Sequence, residues 1–208
     1  SNRYPDGDAT ELRDLITKRF DLDPKQIVFG VGLDEVIVML SRVFLEPGDE
    51  ELVSTPTFSE YALHAEIEEA VINKVSTLDN GQIDFEGMLK AITPKTKLVW
   101  ICNPNNPTAT FETVADIEKF VAQVPKETLV LVDEAYIDFA GQEGFSGKLT
   151  SYPNLIILQT LSKAWGSAAI RLGMAFASRD IIAVFNNIKY PYHINLLTQE
   201  KALEMLKN

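Results

Sequence analysis

Seven short apolar runs, rich in β-branched residues, constrain the fold of this chain more than any other feature of its sequence. They are QIVFG (26–30), EELVST (50–55), AVINKV (70–75), TKLVWICN (96–103), TLVLVDEAY (128–136), NLIILQTL (154–161) and RLGMAFAS (171–178). Several are apolar at consecutive positions, which indicates strands covered on both faces, as in a parallel sheet. Because helical patterns separate the runs, the sequence predicts an α/β fold: a three-layer αβα sandwich around a mostly parallel sheet.

The segments between the runs carry helical hydrophobic periodicity. Asp8 and Glu11 have the spacing of a capping box and predict the start of a helix. Residues 34–45 are apolar almost all round, which predicts a buried helix, whereas 84–92 and 112–124 have the pattern of amphipathic surface helices.

The charge balance limits the possible partners. Among 208 residues there are 30 acidic and 19 basic side chains, which gives a formal net charge of −11. A protein that coats nucleic acid or lies on an anionic membrane needs a basic face, so neither partner is expected. A small anionic ligand in a local cradle remains compatible with this charge.

Cysteine and histidine are scarce. Cys102 is the single cysteine, which excludes an intramolecular disulfide framework, and His64 and His193 do not supply a zinc-type cluster, so no metal is expected. The sequence has no apolar run of about 18 residues and no basic start followed by an apolar segment. We therefore expect a soluble, cytoplasmic protein.

In sheets of this kind, ligands bind beyond the carboxyl ends of the strands. The turn GVGLDE (30–35) offers backbone N–H groups and a helix N-terminus to a phosphate, or is an ordinary strand-to-helix turn. Phe58 offers a flat face to a ring, or is a core side chain. Asn106, in NPNNPTAT (103–110), presents an amide to a ligand oxygen, or only helps to build the turn.

Two charged residues follow later strands. Asp133 ends a wholly apolar run, where a carboxylate is costly unless it is paired with a cation; alternatively it caps a helix. Tyr136 follows three residues later. Lys163 comes after the run 154–161, and burial of its ammonium group would favour the neutral amine, a nucleophile toward carbonyls. The alternative is a lysine at a helix start whose stem covers apolar surface.

Together these residues meet the needs of one ligand. Lys163 can form a Schiff base, Asp133 can balance a cationic ring nitrogen, and Asn106 with Tyr136 can bond a phenolic oxygen. Phe58 can stack on a ring, and the glycine turn can hold a phosphate together with Thr160, Ser162 and Arg171, whose guanidinium group is planar. Pyridoxal 5′-phosphate has all of these features.

Six motifs carry a resemblance to a known family. They are NRYPDG (2–7), GVGLDE (30–35), PTFSEY (56–61), CNPNNPT (102–108), VDEAY (132–136) and TLSKAWGSAAIRLG (160–173). In this order the chain resembles the fold-type I pyridoxal-phosphate aminotransferases, in particular the histidinol-phosphate aminotransferase branch. The resemblance extends over nearly the whole chain.

The resemblance implies a role for each matching residue. Lys163 would form the Schiff base and move the proton, Asp133 would bond the ring nitrogen, and Asn106 and Tyr136 would bond the 3′ oxygen. The remaining matches concern the ring faces and the phosphate. Phe58 and Ala135 would pack against the ring, and the phosphate would be held by Thr160, Ser162, Arg171 and the backbone of Gly32, Leu33 and Asp34.

The resemblance also implies an assembly and a reaction. Tyr4 matches a tyrosine that reaches the phosphate of the neighbouring subunit, which implies a homodimer with shared active sites. The reaction would convert histidinol phosphate and 2-oxoglutarate to imidazole-acetol phosphate and glutamate, a step of histidine biosynthesis. The substrate class is thus an amino acid or phosphorylated amine.

The chain departs from the family pattern at the site. Val31 and Leu33 stand where the family has a polar residue and a serine, so a hydroxyl to the phosphate is missing. A hydrogen bond to a charged group is worth about 1.5–3 kcal/mol, or tenfold or more in affinity. Ala109 and Ala169 each stand for a glycine. If position 109 needs a positive φ, alanine strains the loop that holds Asn106.

The resemblance divides the chain at its carboxyl end. Residues 1–190 would form a pyridoxal-phosphate-binding large domain, and 191–208 the hinge and start of a small C-terminal domain that is otherwise absent. We expect this truncation and the departures to reduce activity. Two alternatives use the same fold: a phosphothreonine decarboxylase or carbon–sulfur lyase, and a catalytically silent domain kept for assembly or binding.

Overall fold

A computed structural model describes residues 2–207 of the chain. All seven apolar runs form strands. The strands are β1 Ile27–Val31, β2 Glu50–Thr55, β3 Val71–Ser76, β4 Thr96–Cys102, β5 Leu129–Asp133, β6 Leu155–Thr160 and β7 Leu172–Ala177. Within residues 2–207 they form one sheet in the order β1-β7-β6-β5-β4-β2-β3. β7 is antiparallel to β1 and β6, and the other neighbours are parallel, so the predicted mostly parallel sheet is confirmed.

Within the described part of the chain, an α-helix follows each strand except β6, which leads to β7 without an α-helix between them, and β7 is followed by two helices. The α-helices are α1 Thr10–Phe20, α2 Gly32–Phe44, α3 Glu60–Ile67, α4 Phe85–Ala91, α5 Val114–Val121, α6 Ile137–Ala140, α7 Arg179–Ile188 and α8 Leu196–Lys207. The predicted helix over 112–124 is shorter than expected, because Thr113 caps it by accepting the backbone N–H of Asp116 at 3.2 Å. Between residues 2 and 207, no helix is long and apolar enough to cross a membrane.

The sheet has a hydrophobic core on each face. One core packs the sheet against α1, α4, α5 and α8, and the other packs it against α2, α3 and α7. Alternate residues of a strand enter opposite cores, as Val130 and Val132 of β5 do on one side and Leu131 on the other. Burial of each such side chain contributes about 1.5–3 kcal/mol. The three-layer αβα sandwich predicted from the sequence is therefore confirmed.

The first helix begins differently from the prediction. α1 starts at Thr10, after Ala9 with a φ of 47°, and Asp8 does not act as its side-chain cap. Asp6 takes that role: its carboxylate accepts the backbone N–H of Thr10 at 2.8 Å and that of Asp8 at 3.1 Å. The hydrogen bond from Thr10 lowers the pKa of Asp6. The capping box of Asp8 and Glu11 is therefore wrong, since the left-handed residue turns the chain so that an earlier carboxylate reaches the helix end.

Candidate active site

An open cleft of about 510 Å³ lies at the carboxyl ends of the central strands, beside the start of α2. It is lined by Leu33, Asp34, Phe58, Tyr61, Cys102, Asn106, Asp133, Ala135, Tyr136, Thr160, Ser162, Lys163 and Arg171. The cleft therefore brings together every site residue predicted from the sequence except Gly32 and Tyr4. It also includes two residues, Tyr61 and Cys102, that sequence reasoning did not single out.

Asp133, the last residue of β5, supplies a buried carboxylate to this cleft. It is 3% exposed, and each of its oxygens accepts a hydrogen bond. Oδ1 accepts the backbone N–H of Ala135 at 2.9 Å, and Oδ2 accepts the hydroxyl of Tyr61 at 2.5 Å. Burial raises the pKa of Asp133, while the bonds from Tyr61 and Ala135 and the charge of Lys163 act in the opposite direction. A carboxylate held in this way is suited to a cationic partner.

Tyr61 is a fully buried aromatic residue of α3. It lies on the first turn of α3, three residues after Phe58, which precedes the helix. The two rings meet edge to face, with centroids 5.5 Å apart. Cys102 ends β4 beside Asp133, where burial raises the pKa of its thiol to about 12. The thiol is therefore a neutral wall of the cleft.

Lys163 occupies a turn directly after β6, and its position corrects one expectation. Its side chain is exposed rather than buried, and Ala164, Gly166, Ala168 and Ala169 of the same rim are exposed too. Its Nζ lies 5.3 Å from the centroid of the Tyr136 ring, within cation–π distance. The expected burial is wrong because the loop forms the rim of the cleft and not its floor. The amine nevertheless faces the same cleft as Asp133.

The opposite end of the cleft is built by close backbone packing of β7 against the start of α2. Gly32 has a φ of 77°, and a Cβ on it would collide with the guanidinium group of Arg171. Its N–H donates to the carbonyl of Arg171 at 3.0 Å and so does not point into the cleft. Of the predicted phosphate grip by the backbone of Gly32, Leu33 and Asp34, the Gly32 N–H is therefore engaged elsewhere. The N–H groups of Leu33 and Asp34 belong to the first helical turn, whose donors have no intrahelical partners.

Charged and hydroxyl groups complete that end. Nη2 of Arg171 contacts Oδ2 of Asp34 at 2.9 Å, and both side chains are partly exposed. The Thr160 hydroxyl lies 3.0 Å from Oγ of Ser162 and 3.0 Å from the carbonyl of Leu172. Because a guanidinium group, two hydroxyls and a helix N-terminus surround it, this end of the cleft is suited to a phosphate group.

The asparagine side chains of the NPNN loop (103–106) fall into two groups: two bond other parts of the protein, and one lines the cleft. Asn103 and Asn105 are buried and bond the protein's own backbone: Asn103 pairs with the backbone of Glu112, and Asn105 donates to the carbonyl of Pro56, just after β2, at 2.9 Å. Asn106 is half-buried and lines the cleft. The loop therefore uses two amides for its own structure and presents the third to a ligand.

Comparison with known proteins identifies the family. The aminotransferase class I and II family matches the chain over residues 1–208. The chain belongs to this family. The curated histidinol-phosphate aminotransferase of Lactiplantibacillus plantarum is 54% identical over 206 residues, which are 98% of this chain and 58% of that protein. The chain thus spans little more than half the length of such curated relatives.

Solved structures share the fold of this aminotransferase-family chain. The histidinol-phosphate aminotransferase of Sinorhizobium meliloti, crystallised in complex with pyridoxal-5′-phosphate, has a TM-score of 0.93 and 24% identity, and the match covers 99% of this chain and 56% of that one. The L-threonine-O-3-phosphate decarboxylase of Porphyromonas gingivalis has a TM-score of 0.87 and 24% identity, and the match covers 99% of this chain and 63% of that one. At these identities the likeness concerns the fold.

Two departures from the aminotransferase pattern are visible in the structure. Leu33 lines the cleft with an apolar side chain and packs against the core, so it offers no hydroxyl there. Ala109 has a φ of 57°, in the left-handed region that favours glycine. The strain expected from alanine at this position is thus present, in the loop that carries Asn106. A non-glycine residue costs about 1–2 kcal/mol there.

Replacing Ala109 with glycine is expected to stabilise this aminotransferase-family protein by about 1 kcal/mol, because glycine adopts positive φ without strain. The melting temperature should rise by about 2–4 °C in differential scanning calorimetry. Ala122, exposed with a φ of −62°, provides the matched control. Ala122→Gly should lower stability by about 0.5–1 kcal/mol. A loss of stability in Ala109→Gly would contradict the strain.

Tyr4 lies outside the cleft of its own chain. Its ring is 80% exposed and stacks on Tyr192, with centroids 4.7 Å apart and an interplanar angle of 14°. The stack joins the N-terminal segment to the region just before α8. Tyr4 is therefore accessible at the surface of this chain.

Proposed function

We propose that this chain binds pyridoxal 5′-phosphate and forms the larger part of an enzyme that transaminates histidinol phosphate with 2-oxoglutarate. One observation carries the proposal: Lys163, Asp133 and Arg171 line the same cleft, in a chain that is 54% identical to a curated histidinol-phosphate aminotransferase. A primary amine, a buried carboxylate and a phosphate partner are what this cofactor requires.

The donor set of the cleft fits the cofactor. Asp133 presents a carboxylate for the ring nitrogen, and its burial makes a cationic partner favourable. Asn106 and Tyr136 supply an amide and a phenol for the 3′ oxygen. Phe58 and Ala135 supply apolar surface for the ring. At the phosphate end the donors are the Thr160 and Ser162 hydroxyls, the Arg171 guanidinium group and the backbone N–H groups of Leu33 and Asp34.

The residues of this chain would divide the work as follows. When bound, pyridoxal phosphate supplies an electron sink for the carbon next to an amino group. Lys163 Nζ would hold the cofactor and, once the substrate's amine has taken its place, would be free to accept the proton from the substrate's α-carbon. Asp133 keeps the ring nitrogen protonated, and Tyr136, whose ring lies beside Nζ of Lys163, orients the 3′ oxygen.

Three further parts of the proposal concern the whole protein. Residues 1–190 are the cofactor-binding large domain, and 191–208 are the hinge that leads toward a small domain, with α8 of this segment still packed on the core of the large one. Tyr4 reaches the phosphate of the partner subunit in a homodimer, which is supported by its exposure. The enzyme works in the cytoplasm, where amino acids and 2-oxoglutarate are metabolised.

The test is covalent attachment followed by turnover. Pyridoxal phosphate added to the chain should give an absorption band at the edge of the visible range, and borohydride should fix the cofactor on Lys163, as located by peptide mass spectrometry. Lys163→Ala should lose both signals completely, whereas Lys126→Ala, at an exposed position, should keep them. Absence of the band in the wild-type chain would overturn the proposal.

Substrates then separate the related reactions. Histidinol phosphate should bleach the band, and glutamate should accumulate when 2-oxoglutarate is supplied. Release of carbon dioxide from phosphothreonine would instead indicate a decarboxylase on the same fold. A band that responds to no amino donor would indicate a chain that binds the cofactor without turnover.

A further inference from the structure

Behind Asp133, a row of buried side chains extends from the cleft to β2. The Tyr61 hydroxyl donates to Oδ2 of Asp133 at 2.5 Å. The Tyr61 ring stacks on Trp100 of β4, with centroids 4.0 Å apart and an interplanar angle of 9°. Nε1–H of Trp100 donates to Oε2 of Glu51 on β2 at 2.8 Å. We call Asp133, Tyr61, Trp100 and Glu51 the buried row; all four are at most 3% exposed.

The buried row leaves Asp133 little freedom. One of its oxygens is held by a backbone N–H and the other by a phenol, and both donor residues are buried. A carboxylate has about four lone-pair sites, so it can accept these two bonds and one more from the cleft. Rotation of the carboxylate would break one or both of the existing bonds. Its orientation is therefore fixed before any ligand arrives.

Tyr61 is a donor throughout the ordinary pH range. Burial and the nearby charge of Asp133 raise the pKa of the Tyr61 hydroxyl well above its usual value, so the phenol keeps its proton. The neighbouring Cys102 thiol stays neutral for the same reason, since burial raises its pKa to about 12. The bond from Tyr61 opposes the effect of burial on Asp133, which by itself favours the uncharged acid.

We propose that Tyr61 is a positioning residue for the cofactor's ring nitrogen: it aims the Asp133 carboxylate and keeps it ionised, while Trp100 and Glu51 hold Tyr61 in place. This inference rests on the proposed function. Loss of the Tyr61 hydroxyl would leave a buried carboxylate with one donor fewer, which favours protonation and rotation. A protonated or rotated Asp133 pairs poorly with a pyridinium nitrogen, whereas the contacts of the cofactor's phosphate do not involve Asp133 and should not change.

The experiment compares two ligands on two variants of the full chain. Pyridoxal phosphate and its 1-deaza analogue, in which carbon replaces the ring nitrogen, are titrated by fluorescence. Tyr61→Phe keeps the stacked ring and removes the hydroxyl. It should lower the affinity for pyridoxal phosphate by about ten- to a hundredfold and leave the affinity for the analogue unchanged. Tyr152→Phe removes a phenol that bonds Glu118 at 3.3 Å elsewhere, and it should change neither affinity.

Each outcome decides between the possibilities. An equal loss for both ligands, or no loss for either, in Tyr61→Phe would overturn the inference and leave the proposed function intact. Failure of the wild-type chain to bind pyridoxal phosphate would overturn both. If Tyr61→Phe is unfolded by circular dichroism, Trp100→Phe takes its place, because it cuts the link to Glu51 and keeps an aromatic ring. Trp100→Phe should lower the affinity for pyridoxal phosphate alone, and an equal effect on both ligands would again overturn the inference.

Discussion

Replacement of Glu51 by glutamine should stabilise the protein at alkaline pH by about 3–5 kcal/mol, since each unit of pKa shift corresponds to about 1.4 kcal/mol. Glu51 is fully buried, and burial raises its pKa from 4.5 to about 8, against the bond from Trp100, which lowers it. One carboxyl oxygen, Oε1, has no hydrogen-bond partner within the described part of the chain. The charged form of Glu51 is therefore disfavoured in the folded state.

The sign follows from where the proton is held. Between pH 4.5 and about 8, the folded protein keeps the proton of Glu51 and the unfolded chain releases it. Stability therefore falls as pH rises through this window and is lowest above it. Glutamine has no such proton and still offers an oxygen to Trp100. Glu51→Gln and wild type should thus be similarly stable below the window and differ by the full amount above it.

Urea unfolding across this pH window measures the difference. Other buried acids, such as Glu134 with a pKa raised by burial to about 7, contribute equally to both proteins and cancel in the comparison. Glu86, an exposed residue of α4, provides the control, since Glu86→Gln should follow the wild-type profile. Parallel profiles for Glu51→Gln and wild type would show that Glu51 is ionised in the folded protein.

Gly173→Ala should destabilise the protein by about 3 kcal/mol and lower the melting temperature by about 6–12 °C. A Cβ at Gly173 would lie 2.5 Å from the carbonyl carbon of Gly32 and 2.5 Å from the backbone nitrogen of Leu33. Both are backbone atoms, so neither can rotate away. The start of α2 must then move away from β7, which also disrupts the end of the cleft suited to phosphate.

Calorimetry and cofactor titration test this prediction together. Gly147→Ala is the matched control, because nothing lies within 4 Å of a Cβ built at Gly147, and it should change neither the melting temperature nor the affinity for pyridoxal phosphate. Gly173→Ala should reduce both. An unchanged melting temperature would mean that β7 and α2 can separate at little cost, contrary to their packing.

The sequence was sufficient to predict the sheet and most of the cleft for a physical reason. Strands buried on both faces are continuous apolar runs, and a polar residue directly after such a run lies at the edge where ligands bind. Asp133 and Lys163 were found in this way, and the cleft brings them together. The two residues lie close together because they follow β5 and β6, which are neighbours in the sheet.

Features that depend on packing between distant segments were missed. Tyr61 bonds Asp133 across 72 positions of sequence, and no local pattern marks that pairing. The exposure of Lys163 depends on what packs over its loop, which the periodicity of a single run does not report. The N–H of Gly32 turns toward the Arg171 carbonyl because β7 passes directly behind it.

The antiparallel direction of β7 has a consequence for how this protein can evolve. Because the chain turns back after β6, Lys163 and Arg171 lie on one hairpin connection, bounded by the pairing of Thr160 with Gly173. Exposed loops usually tolerate insertions and deletions. Here an added or deleted residue would change the span between the amine and the anion-binding end, so selection should hold the length of this loop constant while its surface side chains vary.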